Sequence, residues 1–343
     1  MAKTTFSTNN ALTKKAWEEK LHRDAVKESY FMPRFAGEGA NSVVQVKTQL
    51  EKGKGDKITF GIRMRLTGTG VTSGTILEGN EEKLSTYDYS VSLEQYRHAV
   101  RDDGALSRKR AMFSVDEESK DALKDWGGEK IDQLIFNALF TSPTKIAYPS
   151  SGAGAFQVTG TPATAKAAMS ATNGLLTPGF ISDLKTYAKT GGNRSFVPLR
   201  PVKVEGKNYY ILLLHPDACN DLRKNSTLQA AWRDAAERGS SNPLFKDATL
   251  IWDGVIVHEH ENCPIATDGG GASVAWAQGA LLGAQSLVWA WGERGEVVQE
   301  TFDYGNEHGY AWGMMAATGK PVFNSLDYGS IGVYVARSKI SDL

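Results

Sequence analysis

The chain has 343 residues, which is enough for one large domain or for a few smaller ones with a substantial buried core. Its 39 basic residues balance its 39 acidic residues, and no segment carries a run of positive charge. A protein that binds nucleic acid mainly by displacing counterions from phosphates has an excess of Lys and Arg on at least one segment. The composition therefore argues against that class of protein.

Cysteine use and one uncharged stretch indicate the compartment. Cys219 and Cys263 are the only cysteines, and their spacing fits neither a disulfide framework nor a structural zinc site, so we expect a reducing compartment. Met1–Thr4 begins no apolar signal sequence. Gly269–Gly292 carries no charge and is long enough to span a bilayer, but glycine, glutamine and serine dilute its hydrophobicity. We expect buried strands and turns there, and no membrane partner.

The first segment predicts a helix and then a short strand. In Asn10–Tyr30 apolar residues recur at three-to-four spacing between Lys and Glu, which is typical of an amphipathic helix. Pro33 and the glycines that follow it end this pattern. Three valines then make Ser42–Thr48 a predicted strand.

The next segment predicts a long hairpin. Lys57–Leu66 and Leu84–Tyr96 both alternate apolar and polar residues, as half-buried strands do. The intervening Thr67–Glu82 is rich in glycine and threonine, which is typical of a loop. Because an isolated hairpin is only marginally stable in water, we expect this one to pack against a neighbour.

The strongest helix pattern covers Ser114–Phe140. Ser114 and Glu117 fit a capping box, in which each side chain satisfies a free backbone N–H of the first turn. Gly127 and Gly128 interrupt the middle at a cost of about 1 kcal/mol each relative to alanine, which predicts a kink or a close helix contact. We expect one helix face to be buried, and its apolar residues are Leu123, Trp126, Leu134, Ile135 and Ala138.

The remaining patterns complete an α+β chain. Pro149–Asn173 is rich in small residues and predicts a surface loop, and Thr177–Lys189 predicts a helix with proline at its first position. Tyr209–Leu214 predicts a buried strand, with a helix beginning at Pro216. The other predicted elements are a helix at Leu228–Glu237 and strands at Leu250–Glu259, Ser286–Trp291, Glu296–Phe302 and Gly309–Ala316.

One cluster has the residue types of a metal site. It comprises His258, Glu259, His260, Glu261 and Cys263, and alternation along a strand places the two histidines on one face, as two zinc ligands require. The alternative interpretation is a polar strand end and turn before Pro264. We assign no metal ligand, catalytic residue or cofactor from this pattern.

Other chemical motifs are missing or incomplete. Gly68, Gly70 and Gly74 do not fit a dinucleotide-binding loop, because Ser73 stands where the third glycine belongs, and no nucleophile elbow is present. Lys83 is a candidate for a covalent cross-link between subunits, but its surroundings are not specific for one. We interpret the aromatic residues of the predicted C-terminal strands as core, namely Trp289, Trp291, Tyr310 and Trp312.

A family resemblance appears at Gln45–Glu82. This string resembles the signature region of the major capsid proteins of tailed double-stranded-DNA bacteriophages, in the group typified by N4-like podophages. Further segments resemble the family in the same order, namely Tyr96–Arg101, Asp125–Phe140, Ile211–Pro216, Trp252–Pro264 and Ala280–Trp289. The resemblance covers nearly the whole chain and is most specific at residues 54–82.

The resemblance implies a Hong-Kong-97-type capsid fold. That fold implies an N-terminal arm at residues 1–49, an extended hairpin called the E-loop at 50–97, a peripheral domain with a long spine helix at 98–204 and 296–343, and an axial domain at 205–295. It also implies that the E-loop lies over an adjacent subunit and buries its apolar face there.

The function implied is a structural one, without enzymatic activity. Copies of the chain would form pentamers and hexamers of an icosahedral shell around double-stranded DNA, without sequence-specific DNA contacts. The expected partners are scaffold and portal proteins, with decoration proteins as a further candidate. The expected site of assembly is the host bacterial cytoplasm, and the mature location is the virion. Two alternatives are an encapsulin-type compartment shell and a metal-dependent enzyme that uses His258–Cys263.

Overall fold

The computed structural model describes residues 24–48, 55–63, 70–81, 86–112, 114–150, 156–204, 206–226, 250–270 and 273–339. Residues 24–28 are helical. The elements that follow them are α1 (Met32–Phe35), β1 (Ala36–Gly37), β2 (Val44–Lys47), β3 (Lys57–Arg63), β4 (Thr86–Ser92), β5 (Glu94–Arg101), α2 (Ala105–Arg110), α3 (Val115–Phe140), β6 (Ile146–Pro149), β7 (Phe156–Thr159), α4 (Pro162–Ala167), α5 (Pro178–Arg194), β8 (Val202–Val204), β9 (Lys207–Leu214), α6 (Pro216–Arg223), β10 (Leu250–Trp252), β11 (Val255–Glu259), β12 (Ile265–Gly269), β13 (Val274–Leu282), β14 (Leu287–Phe302), β15 (Glu307–Gly319), β16 (Val322–Phe323), β17 (Leu326–Asp327) and β18 (Ser330–Ala336).

A five-stranded sheet, in the order β1-β2-β14-β15-β5, is built around one long antiparallel pair. β14 and β15 pair from Val288 opposite Gly319 to Phe302 opposite Glu307, and the register shifts on either side of Glu293. β2 adds in parallel to β14, and β5 adds antiparallel to β15 as an edge strand. Side chains alternate between the two faces of a strand, so this pair presents one large apolar row to each side.

α3 covers one face of the five-stranded sheet. Its N-cap is Ser114, whose Oγ accepts a hydrogen bond from Glu117 N–H at 3.4 Å, as the capping pattern predicts. Leu123 and Ile135 are buried in a core shared with Trp289 and Trp312, which are fully buried. The predicted helix and the core role of the four aromatic residues are confirmed. Of the predicted helix face, Leu123 and Ile135 are buried, whereas Trp126, Leu134 and Ala138 are only partly buried at the edge of the core.

Gly127 and Gly128 mark a close contact between helices. A Cβ on Gly127 would lie 3.0 Å from the Trp312 ring and 3.2 Å from Ala25 Cβ, and one on Gly128 would lie 3.1 Å from the Ala25 carbonyl oxygen. The helical residues 24–28 therefore cross α3 at these glycines. The glycine pair predicted either a kink or a close helix contact, and the structure shows the close contact.

The second large sheet of the molecule has nine strands. Seven strands follow the order β10-β11-β9-β13-β18-β6-β7, β12 adds to β13, and β8 adds to β9. Along β9, Ile211 and Leu213 face the core that contains α3, whereas Leu212 and Leu214 face a second core with α5 and α6. Burial on both faces explains why this strand is an uninterrupted apolar run.

Several predictions from the sequence are confirmed at the level of whole elements. β2, the β3–β4 hairpin, α5 with its N-cap Thr177, and β9 followed by α6 all occur where the patterns predict them. The predicted strand Leu84–Tyr96 is an exception in its extent, because β4 ends at Ser92 and Glu94–Tyr96 belong to β5 of the five-stranded sheet. Gly269–Gly292 contains β13 and the start of β14, which are buried strands joined by a turn. In the part of the chain that the structure describes, no helix has the length and apolar composition needed to cross a membrane.

Other predictions are corrected. Pro149–Asn173 is not simply a loop, because its described part includes β7, which pairs with β6, and α4. Leu250–Glu259 is two strands that reverse at Asp253, which has a positive φ of 46°. Ser286–Trp291 and Glu296–Phe302 belong to one strand, β14. The predicted helix at Leu228–Glu237 and most of the one at Asn10–Tyr30 lie outside the described residues.

Sheet membership divides the chain into two bodies. The five-stranded sheet takes its strands from residues 36–47, 94–101 and 287–319, and the nine-stranded sheet takes its strands from 146–282 and 330–336. Residues 146–159 and 330–336 therefore share a sheet with 207–282. α3 contacts both sheets and joins them.

A buried carboxylate on α3 holds the segment that leads into α1. Asp132 is 8% exposed and accepts hydrogen bonds from Ser29 Oγ at 2.7 Å, from Tyr30 N–H at 2.6 Å and from Phe31 N–H at 3.2 Å. Burial raises the pKa of Asp132, although these three hydrogen bonds oppose the shift. Charge-assisted hydrogen bonds of this kind are stronger than neutral ones.

We predict that Asp132→Ala releases this segment, because two buried N–H groups lose their acceptor. The free energy of unfolding should fall by about 3 kcal/mol, and amide hydrogen exchange of residues 29–35 should become faster. Asp125→Ala on the same helix is the control, because Asp125 is exposed, and it should change stability by less than about 0.5 kcal/mol. Unchanged exchange at residues 29–35 in Asp132→Ala would contradict the assignment.

Candidate assembly surface

The β3–β4 hairpin packs against its own subunit at its base. The two strands pair antiparallel from Lys57 opposite Ser92 to Arg63 opposite Thr86. Ile58, Phe60 and Val91 are 4%, 2% and 6% exposed, because they contact the face of β14 and β15 that α3 leaves open. On that face the sheet contributes Val288, Ala290 and Ala317. The five-stranded sheet is therefore covered by α3 on one side and by the hairpin base on the other.

Polar and aromatic contacts also fix the hairpin base. Lys47 Nζ donates to the Thr59 carbonyl oxygen at 2.8 Å and lies 4.8 Å from the centre of the Phe60 ring. Farther along, the Tyr87 ring meets the Phe323 ring edge-on at 4.6 Å between centroids. The hairpin was expected to need a packing partner. At its base that partner is the five-stranded sheet of its own chain. This corrects the expectation that the apolar face of the whole hairpin is buried on another subunit.

The hairpin tip has a different character. Ile76 and Leu77 are 73% and 62% exposed, and the acidic Glu78 and Glu81 follow them. The tip is held by its own turn, in which Asn80 N–H donates to the Leu77 carbonyl oxygen at 3.0 Å and Asn80 Nδ2 donates to the Ile76 carbonyl oxygen at 2.9 Å. These two adjacent apolar side chains, exposed at the tip of a hairpin whose described base is packed, make the tip a candidate contact surface.

The opposite end of the five-stranded sheet also exposes apolar side chains. Val298 on β14 is 49% exposed, and Tyr304, in the turn between β14 and β15, is fully exposed at 110%. Tyr304 has a positive φ of 51°, so its side chain is displayed from a backbone conformation that non-glycine residues rarely adopt. This turn is a second candidate contact surface.

One group of potential metal ligands lies beside this turn, and the sequence analysis did not predict it. Asp102, Asp116 and His308 are the only three donors in the described ranges whose ligand atoms lie within 4.8 Å of one another. Asp102 is engaged already, because Arg108 pairs with it and His308 N–H donates to it at 2.6 Å. Burial acts to raise the pKa of Asp102, but these hydrogen bonds outweigh it and lower the pKa. Asp102 and His308 are far apart in sequence, so local spacing carried no indication of the group.

The structure places the His258–Cys263 cluster in packed surroundings. His258 is fully buried and meets the Phe35 ring edge-on at 5.2 Å, and His260 lies 4.5 Å from the Tyr30 ring and 4.6 Å from the Phe136 ring. Burial lowers the pKa of His260 and raises that of Cys263 well above its usual value. Throughout the described residues, no three-donor group suited to a metal includes any member of this cluster.

The remaining sequence candidates are not brought together as a chemical site. Gly70 and Gly74 lie in the exposed hairpin tip, where both adopt a positive φ with open space around the missing side chain. Lys83 and Gly68 lie outside the described residues. Cys219 lies on α6 and is buried in the second core, and burial raises its pKa to about 12, so its sulfur is a thiol and a poor nucleophile.

Comparisons with known proteins agree on one class. A family model described as phage capsid protein matches residues 5–337, and the chain therefore belongs to the phage capsid protein family, whose members are structural proteins of the virion. The major capsid protein of Pseudomonas phage KPP25 is 29% identical over 375 aligned positions, which cover 97% of each chain.

Solved structures share the fold. The capsid of Ralstonia phage GP4 matches with a TM-score of 0.80 and 26% identity, over 99% of this chain and 96% of that one. The capsid asymmetric unit of Cyanophage Pam1 matches with a TM-score of 0.75 over 92% of this chain and 93% of that one, at 23% identity. These relatives are bacteriophage capsids, which does not favour the compartment-shell or metalloenzyme alternatives.

Docking of the hairpin base on its own sheet predicts the effect of Phe60→Ala. Losing this ring should destabilise the unassembled protein by about 3 kcal/mol and speed amide exchange in β3 and β4, as measured by urea unfolding and hydrogen exchange. Thr59→Ala on the exposed face of β3 is the control and should cost no more than about 1 kcal/mol. Equal effects of the two substitutions would mean that the base is not docked in the free subunit.

Proposed function

We propose that this chain is the major capsid protein of a tailed bacteriophage and assembles as pentamers and hexamers into an icosahedral shell around double-stranded DNA. The observation that carries the proposal is the family match across residues 5–337. The hairpin supports it, since its base is fixed within the subunit and its exposed apolar tip is free to contact a second copy. The resemblance at Gln45–Glu82 favours the N4-like group.

We infer that the fold is of the Hong-Kong-97 type. The long α3 corresponds in this proposal to the spine helix, β3 and β4 to the E-loop, and residues 1–49 to the N-terminal arm. Sheet membership supports a peripheral domain around the five-stranded sheet and an axial domain around the nine-stranded sheet. Residues 146–204 and 330–336 then go with the axial body, and the other boundaries are as expected from the sequence.

Assembly in this proposal is a matter of geometry. The tip of one copy meets a different surface on the next copy, and such head-to-tail contacts close into rings when the rotation between copies allows it. Ile76 and Leu77 bury apolar surface at that contact, with a gain of about 1.5–3 kcal/mol for each side chain that becomes fully buried. A contact of modest energy is repeated around each ring, so the shell is far more stable than any one contact.

The proposed partners follow from the same function. A scaffold protein, a portal protein and, in some shells, decoration proteins act on the outside or inside of the assembly, which forms in the host bacterial cytoplasm. The equal numbers of basic and acidic residues support a wall that encloses DNA without sequence-specific contacts and without binding it tightly.

Purified protein, alone or with its scaffold protein, should form rings or closed shells. Sedimentation velocity and negative-stain microscopy measure this directly. A monodisperse monomer under all salt conditions, with the scaffold present, would refute the proposal.

The tip is tested by replacing Ile76 and Leu77 with serine together. Both side chains are exposed, so the free subunit should keep its stability within about 0.5 kcal/mol while shells fail to form. Val158→Ser is the control, because Val158 is 43% exposed on β7, away from the hairpin, and it should leave assembly intact. Normal shells from the double variant would show that the tip makes no essential contact, and a variant that does not fold would show that the tip packs within its own subunit.

A further inference from the structure

A cavity of about 280 Å³ lies between residues 195–197, which follow α5, and residues 323–328, which contain β16 and β17. Its walls include the rings of Phe196, Phe323 and Tyr328, and its polar groups include Lys145 and Asp327. Lys145 directly precedes β6 of the nine-stranded sheet, whereas Asp327 belongs to β17, which follows the long β15. The cavity is large enough for a small ligand or for one side chain of another protein.

Lys145 is the unusual residue of this cavity. Its side chain lines the cavity, although the residue is only 4% exposed, and its Nζ lies 4.3 Å from the centre of the Phe196 ring. Among the described residues no acceptor forms a hydrogen bond or an ion pair with this amine. A buried ammonium is normally paired, because burying an isolated charge is costly.

The neighbouring charges are already engaged with each other. Lys320 Nζ pairs with Asp327 Oδ2 at 3.1 Å, and Thr144 N–H donates to the same oxygen at 3.0 Å. Asp327 Oδ1 is buried without a hydrogen-bond partner from the described chain. The positive charge of Lys320 balances the negative charge of Asp327. The charged amine of Lys145 therefore leaves the cavity with one net positive charge.

We propose that this cavity is a carboxylate-binding site in which the Lys145 ammonium pairs with the carboxylate and the aromatic walls contact the carbon atoms attached to it. Two sources share this chemistry, namely a free organic acid and an acidic side chain of a second copy of the chain. The site goes beyond the proposed shell function, and only the second source depends on assembly.

The pH behaviour of the site follows from its surroundings. Burial lowers the pKa of Lys145 to about 8, the carboxylate of Asp327 opposes this shift, and the Lys320 amine adds to it. Tyr328 is the other titratable group of the walls. A bound carboxylate stabilises the charged amine, so affinity should be constant between about pH 6 and pH 8, where the acid is ionised and the amine is charged. Affinity should fall as the pH rises above 8, where the free amine becomes neutral.

The first experiment uses unassembled protein and three probes, acetate, benzoate and acetamide, with calorimetry as the readout. Acetate and benzoate should bind saturably, and acetamide, which has no charge, should bind at least tenfold more weakly. Lys145→Met should weaken acetate binding about tenfold or more and still fold, because it replaces a buried amine by an apolar chain of similar length. Lys207→Met, at an exposed lysine of β9, should bind as the original protein does.

The second experiment tests the other source by trace acetylation of lysine amines and mass spectrometry. If an acidic side chain of a second copy occupies the cavity, Lys145 should be acetylated readily in free subunits and at least tenfold more slowly in shells. Lys207 serves again as the internal reference. Shells of Lys145→Met should then dissociate at lower denaturant concentrations than those of Lys207→Met.

The outcomes separate the possibilities. Binding of acetate that depends on Lys145 supports the free-acid source, and protection of Lys145 only in shells supports the second-copy source. Acetamide binding as tightly as acetate would overturn the proposal. The cavity would then recognise the hydrogen-bonding groups of the ligand and not its negative charge. The proposal would also be overturned if the protein bound no carboxylate and if Lys145 were not protected from acetylation in shells. If the unsubstituted chain fails to form shells, that result contradicts the proposed function, and the binding experiment on unassembled protein still tests the carboxylate site.

Discussion

The long antiparallel pairing of β14 with β15 is the constraint on which the rest of the structure depends. Trp289 and Trp312 extend from one face of this pair into the core with α3, and Val288 and Ala317 extend from the other face to the hairpin base. A slip of one residue in the register would turn one of the two strands over relative to the other, so that either Trp289 or Trp312 would face the hairpin instead of α3. One pairing therefore fixes the positions of α3 and the hairpin base together.

In the proposed assembly, this arrangement separates folding from association along a single hairpin. The base of the hairpin contributes to the core of its own subunit through Phe60, so it is ordered before any contact with a second copy. The tip contributes almost nothing to that core, since Ile76 and Leu77 remain exposed. A contact surface carried on a rigid base loses less conformational entropy on association than one carried on a flexible loop. Preorganisation of this kind suits a protein whose contacts must be individually weak and numerous.

Sequence patterns predicted the elements whose period and caps agree. α3 was predictable because its apolar spacing, its Ser114 cap and its acidic first turn all indicate the same helix. The continuity of β14 was not predictable from the sequence. The register shift near Glu293 interrupts the alternation of apolar and polar residues, although the pairing of β14 with β15 continues beyond it. β7 and α4 were missed since small residues such as those of Pro162–Ala167 give no strong period. The docking of the hairpin base depends on contacts between residues far apart in sequence, which no local pattern records.

For the candidate chemical residues as well, the sequence pattern did not show how each side chain is used. His258 and His260 have the spacing of metal ligands, yet the aromatic rings of Phe35, Tyr30 and Phe136 occupy the space beside them. Lys145 has no motif around it, yet it is the buried amine whose pairing the described chain leaves incomplete. Residue type and spacing therefore define which chemistry is available, whereas burial and the nearest partner decide whether a side chain packs or binds. The incomplete pairing of Lys145 at a cavity is therefore the feature that points to a bound partner group.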